Sequence, residues 1–342
     1  MQWGHCTSCR HSANSDAIAI IFYIFYTLEL AVVAYSRFWL NRTMKRFFSV
    51  LFVGLLVVAV PSCNIDEEYG SGVSMPLKVL DYTPAPGQFI NDLVASGFDG
   101  SQTTAESAIA YAQNRLNNNL YVSLGGFGGY IVVGFDHNVA NASGYDFEIL
   151  CNAFDGSSEP GVVWVMQDEN QNGEPDDTWY ELAGSETGKA ETIQNYAVTY
   201  YRPTEAKSAV VWSDNQGQSG EIRYLGGRHV GDSYFPLWID GDSYTLVGTC
   251  LQPRNHFDGV NWVNPHYEWG YADNESPVDY SATSKSNRFD ISNAIDAEGN
   301  VKQLEYINFV KVQCAVNAVS GSLGEISTEV CGFYDYRLKS EL

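Results

Sequence analysis

The densest grouping of hard oxygen donors in this 342-residue chain lies at positions 168–177, reading DENQNGEPDD. Side-chain oxygens at Asp168, Asn170 and Asn172 alternate along the chain, and Gly173 follows for a sharp turn. The backbone carbonyl of Glu174 and the carboxylates of Asp176 and Asp177 complete a set that repeats the logic of a calcium-binding loop. Position twelve is Trp179 instead of an acidic residue, so the segment is not a full EF-hand. The expectation is a structural Ca²⁺ held by Asp168, Asn170, Asn172, Glu174, Asp176 and Asp177; the competing reading is a metal-free, Asx-rich hairpin turn.

A second grouping suits ligand stacking. Residues 257–273 read FDGVNWVNPHYEWGYAD, which is long and irregular for a turn. Its rings Trp262, Tyr267, Trp269 and Tyr271 are candidate contacts for a planar or sugar-like ligand, because exposed aromatics on loops combine stacking with desolvation. The alternative is that these rings fill a core beneath the loop. The glycine-rich run SLGGFGGY (123–130) invites a phosphate-binding reading, yet IVVGF follows it directly, where a nucleotide fingerprint needs a helix. Bulges or close strand approach explain those glycines better. Asp136, Asp146 and Asn152, like Asp273, Asn274 and Asp290, read as turn caps ahead of a second cation site. No HExxH or GxSxG motif occurs, so the sequence offers no catalytic machinery.

The elements that must carry these residues are short strands. Runs at 130–135, 161–166, 196–201 and 309–313 alternate apolar and polar residues or are continuously apolar, and Gly, Asn, Asp or Pro bounds most of them. With 14% aromatic residues and 31 glycines, the composition favours a mainly β fold, a jelly-roll-like antiparallel β-sandwich over residues 120–340. One short helix is expected in an N-terminal segment, 85–119, where Thr103 and Glu106 fit a capping box ahead of a run of helix formers.

Net charge is −22, which leaves no basic footprint for nucleic acid and excludes that partner class. Residues 44–62 combine Lys45 and Arg46 with an apolar run, and Val60, Pro61 and Ser62 lead into Cys63 as in a lipoprotein signal. On this reading residues 1–43 are an extension upstream of the true start at Met44, Cys63 is the acylated membrane anchor, and 63–84 is an acidic tether. The alternative is a membrane helix over 17–40. Cys151, Cys250, Cys314 and Cys331 are open to disulfides or buried thiols, with no pairing readable.

The stretches SLGGFGGYIVVGFDHNV, GYDFEILCNAF, EPGVVWVMQDENQNGEPDDTWYEL, WGYADN and LGEISTEV together resemble a family of Bacteroidetes cell-surface lipoproteins, over about residues 84–335. Cys151 within LCNAF departs from the commoner pattern. The resemblance implies a lipid-anchored protein at the outer-membrane surface. It also implies a corrinoid-capture role, with cobalamin as ligand, as accessory to a TonB-dependent transporter. A calcium-dependent glycan-binding or adhesive module is the alternative.

Overall fold

The computed structural model describes residues 77–227 and 229–339; Cys63, the signal-like segment and most of the acidic tether lie outside them. In chain order the strands are β1 (Leu77–Thr83), β2 (Val122–Ser123), β3 (Tyr130–Ala140), β4 (Phe147–Cys151), β5 (Gly161–Met166), β6 (Tyr180–Leu182), β7 (Ile193–Tyr201), β8 (Val210–Asp214) and β9 (Ser219–Ile222). They continue as β10 (Ser243–Cys250), β11 (His256–Phe257), β12 (Trp262–Val263), β13 (Tyr280–Ser281), β14 (Ser286–Phe289), β15 (Ala294–Ile295), β16 (Tyr306–Cys314) and β17 (Glu329–Asp335). Helix α1 spans Ala105–Asn117, and a single turn, α2, covers Tyr336–Lys339.

Strands β1-β3-β16-β5-β6-β15 form one sheet and β13-β14-β4-β17-β2 another, each antiparallel throughout. The period-two alternation of their sequences aims one face of each sheet at a shared core. Val79, Ile131, Val133, Val163, Val165, Val310 and Val312 come from the first sheet, and Phe147, Ile149, Phe289, Val330 and Phe333 from the second, joined by Ala108, Ala112 and Leu116 of α1. This is the expected mainly β sandwich. A third sheet, β10-β7-β8-β9, builds a separate core from Tyr196, Val198, Tyr200, Leu246 and Phe127.

Two expectations shift. Residues 77–83, assigned above to the tether, are strand β1, because Val79 and Tyr82 are buried and β1 pairs with β3 from Leu77↔Phe135 to Thr83↔Tyr130. The helix cap also moves by one residue. Thr104, extended at φ −131°, ψ 158°, is the N-cap, and its hydroxyl accepts from the Ser107 N–H while the Ser107 hydroxyl accepts from the Thr104 N–H. Ser107 therefore takes the role expected of Glu106.

The glycine-rich run is a close backbone approach, as read above. Gly125 sits at φ +66°, and a Cβ there would lie 2.0 Å from the Ala85 carbonyl oxygen; at Gly129 it would lie 1.8 Å from that of Leu124. The run threads between the segment after β1 and the third sheet, and its backbone is held by bonds from Ala85 N–H to Leu124 and from Gly126 N–H to Pro86.

Candidate functional site: a groove on the outer face of the sandwich

The same alternation that fills the core pushes a second set of side chains to the outer face of the first sheet. Strand register aligns five of them in a row. Asp81 pairs with Val132, Val132 with Lys311, Lys311 with Trp164, and Trp164 with Glu181, crossing β1, β3, β16, β5 and β6. The neighbouring row runs Thr83, Tyr130, Gln313, Val162. A lysine thus stands mid-sheet with carboxylates towards both edges.

Lys311 is enclosed by rings. Its ammonium lies 4.6 Å from the Trp164 ring centroid, 5.4 Å from Trp179 and 6.0 Å from Tyr130, distances at which a cation gains from the ring quadrupole. Burial lowers its pKa to about 8, opposed by attraction to Glu181 and Asp81, so the charge is incompletely compensated. Among the described residues Lys311 forms no ion pair. Trp164 Nε1 is buried without a hydrogen-bond acceptor, a second unmet polar group beside the lysine. Burial also raises the Glu181 carboxyl, and it accepts a hydrogen bond from Thr249.

Above this floor lies a groove of about 620 Å³. Asp81, Thr83, Tyr130 and Lys311 line it from the first sheet, Tyr244 to Val247 of β10 form one wall, and Pro175 and Trp179 form another. The Tyr130 hydroxyl donates to Asp81 at 2.9 Å and the Thr83 hydroxyl donates to it at 2.8 Å, which fixes the carboxylate at the groove edge. Four inter-strand steps separate Asp81 from Glu181, roughly 19 Å at about 4.8 Å per step. The two-acid mechanism of glycoside hydrolysis needs carboxyl groups within about 10 Å. This pair does not match it.

The wall residues Pro175 and Trp179 come from the segment singled out for calcium, or from just beyond it. There the Asp168 carboxylate accepts from the Asn172 and Gly173 N–H groups, at 3.2 and 2.9 Å, and Asp177 accepts from Glu169 at 2.9 Å. Asp176 accepts from the Asn170 and Asn172 side-chain amides, both at 3.0 Å, and these bonds lower its pKa. Gly173 adopts φ +75°, the turn its position demands. Asp168, Asn170, Asn172 and Asp176 are therefore joined by hydrogen bonds within one turn, an arrangement of the Asx-turn kind. The Glu174 carbonyl accepts from Asp176 N–H.

The aromatic loop falls differently. Tyr267 and Tyr271 are each 2% exposed and belong to a buried cluster with Val162 and Leu251. The Tyr267 hydroxyl donates to the Gln252 carbonyl, and Arg254 covers its ring at 4.2 Å; the Tyr271 hydroxyl accepts from Glu186 N–H. Trp262 is half-buried, packed against Gly321 and 6.1 Å from the Phe257 centroid, and Trp269 is half-buried as well. The tyrosines follow the core-filling alternative. Of the rings that border the groove above Lys311, Tyr130 and Trp179 were legible as residues but not as neighbours.

Two of the other polar candidates, Asp146 and Asp290, are caps. Asp146, fully buried, accepts from Ala142 and Ile291 N–H groups and pairs with Arg337, while Asp290 caps the turn at Ser292. The four thiols of Cys151, Cys250, Cys314 and Cys331 are buried, and no disulfide joins them.

The site is an open groove on a β-sandwich face, bordered by aromatic side chains. No protein-family model matches the chain, and no curated protein is significantly similar to it.

Proposed function

We propose that this chain is a lipid-anchored surface protein whose sandwich captures a small ligand, a corrinoid, in the groove above Lys311. The observation that carries the reading is a charge-undercompensated lysine set among Trp164, Trp179 and Tyr130, with Lys311, Trp179 and Tyr130 lining a groove of about 620 Å³. Such a surface suits a ligand that joins a broad, flat apolar face to an isolated negative charge. A corrinoid has that chemistry: a flat macrocycle, a fringe of amides, and a phosphodiester in its nucleotide loop. The phosphodiester meets Lys311, the amides meet Asp81 and Thr83, and the groove holds one edge of the macrocycle. A neutral saccharide would stack equally well but leave the lysine without a counter-charge.

Within the same proposal, Ca²⁺ at Asp168, Asn170, Asn172, Glu174, Asp176 and Asp177 stiffens the segment that carries Pro175 and Trp179. Acylated Cys63 holds the domain at the outer face of the outer membrane, where captured ligand passes to a TonB-dependent transporter. Calorimetric titration with cyanocobalamin, and separately with neutral oligosaccharides, in calcium-containing buffer tests the ligand class. Saturable corrinoid binding at micromolar or tighter affinity is the expected result. Saturation by oligosaccharide alone would replace this reading with the glycan-binding one.

A further inference from the structure

Three carboxylates remote in sequence meet at one end of the sandwich. Glu159 lies just before β5, Asp273 in the connection after β12, and Glu329 opens β17. Backbone bonds knit these segments together: Glu159 N–H donates to the Asp273 carbonyl at 2.9 Å, and Gly161 and Ala272 exchange a reciprocal pair. The Glu329 N–H donates to Asp273 Oδ2 at 2.8 Å, and the Thr328 hydroxyl donates to the Glu159 carbonyl. Asp273 is held at φ +54°, a left-handed conformation that costs energy for a residue with a Cβ and marks an over-determined position.

One oxygen from each of the three carboxylates lies within 4.8 Å of the others. Asp273 is 1% exposed and Glu329 2%, whereas Glu159 is half-buried. The second oxygen of Asp273, Oδ1, is buried with no hydrogen-bond donor. No ion pair among the described residues includes any of the three. Three ionised carboxylates this close in a low-dielectric setting repel one another strongly, so the cluster must acquire positive charge, either as protons or as a cation. Burial pushes all three carboxyls above the usual range, and repulsion from Glu329 adds to it at Glu159 and Asp273.

Oxygens about 2.3–2.6 Å from a Ca²⁺ ion stand at most roughly 5 Å apart, and the three carboxylate oxygens lie within 4.8 Å of one another. A buried site built from protein oxygens suits Ca²⁺ better than Mg²⁺, which usually keeps several waters. We propose that Glu159, Asp273 and Glu329 form a second, buried calcium site, distinct from the 168–177 loop, which clamps three remote chain segments at the end of the sandwich. The orphaned Asp273 Oδ1 is the donor atom that the ion satisfies. Neither the corrinoid reading nor the loop site is required for it.

The test removes the loop's contribution and counts what remains. The Asp168→Asn/Asp176→Asn protein, freed of metal by chelation and shown by circular dichroism to be folded, is titrated with CaCl₂ by calorimetry and followed by thermal melting. The inference expects one equivalent of Ca²⁺ bound, with a melting temperature raised by several degrees. It also expects that adding Glu159→Gln, at the half-exposed rim, weakens that binding about tenfold or more by removing a charged ligand. Adding Asp273→Asn should abolish it. Absence of calcium binding in the loop variant would overturn the site. So would undiminished binding on adding Glu159→Gln, which keeps the test decisive even where Asp273→Asn fails to fold. A Ca²⁺-independent melt that Asp273→Asn raises would identify a proton-sharing cluster instead.

Discussion

Lys311 and Glu325 are two residues whose surroundings conflict with their charge, and each conflict is measurable. Burial brings Lys311 to about 8, below its unfolded value of about 10.4. Between these values the unfolded chain binds more protons, so stability rises as pH goes from about 8 towards 10. Lys311→Met should remove that rise and raise the ligand-free melting temperature at pH 7, read by calorimetry across the pH series. Glu325 has the opposite sign. Burial raises its carboxyl to about 8, although Oε1 accepts from the Gln88 N–H; Oε2 has no partner. The unfolded chain releases this proton from about pH 4.5, so stability is lost as pH climbs from there to 8. Glu325→Gln keeps the acceptor for Gln88 and should be more stable than the parent at pH 8 by about 4 kcal/mol, at roughly 1.4 kcal/mol per tenfold change in proton affinity. Equal urea midpoints at pH 8 would contradict this.

Among the elements, the glycine run between β2 and β3 carries the sharpest steric prediction. Gly129→Ala would place a Cβ 1.8 Å from the Leu124 carbonyl oxygen and 2.3 Å from the Ala85 nitrogen. Neither backbone atom can withdraw without breaking the bond from Ala85 N–H to Leu124, so a loss above about 2 kcal/mol is expected in urea denaturation. Close approach was legible here because a strand, not a helix, follows the glycines. The runs at 130–135, 161–166, 196–201 and 309–313 likewise fall within β3, β5, β7 and β16, since period-two burial is written locally. Strand β1 was missed because its few apolar residues adjoin an acidic, polar stretch. The row from Asp81 to Glu181 could not be read at all: its order depends on the register of five strands spread from β1 to β16, and sequence patterns specify which face a residue takes but not its lateral neighbour. Likewise Asp273 was visible as a polar candidate, but nothing local ties it to Glu159 or Glu329.

At the scale of the whole molecule, net charge and the proposed anchor carry the predictions. A net charge of −22 repels anionic ligands in general, so under the proposed function the aromatic enclosure of Lys311 is the local exception on which selective capture would depend. The anchoring proposal predicts that Cys63→Ala leaves the protein unacylated and releases it from the membrane fraction. Persistence in that fraction would replace the lipid anchor with a spanning helix upstream. The account as a whole rests on the groove above Lys311. Its most direct test is calorimetric titration of cyanocobalamin into the wild-type protein beside Trp179→Ala, Lys311→Met and Trp262→Ala. Tenfold or greater weakening, about 1.4 kcal/mol, is predicted for the first two, with Trp262→Ala binding as the parent does. Loss of binding in Trp262→Ala with both groove variants unaffected would contradict it and move the ligand to the loop at 257–273.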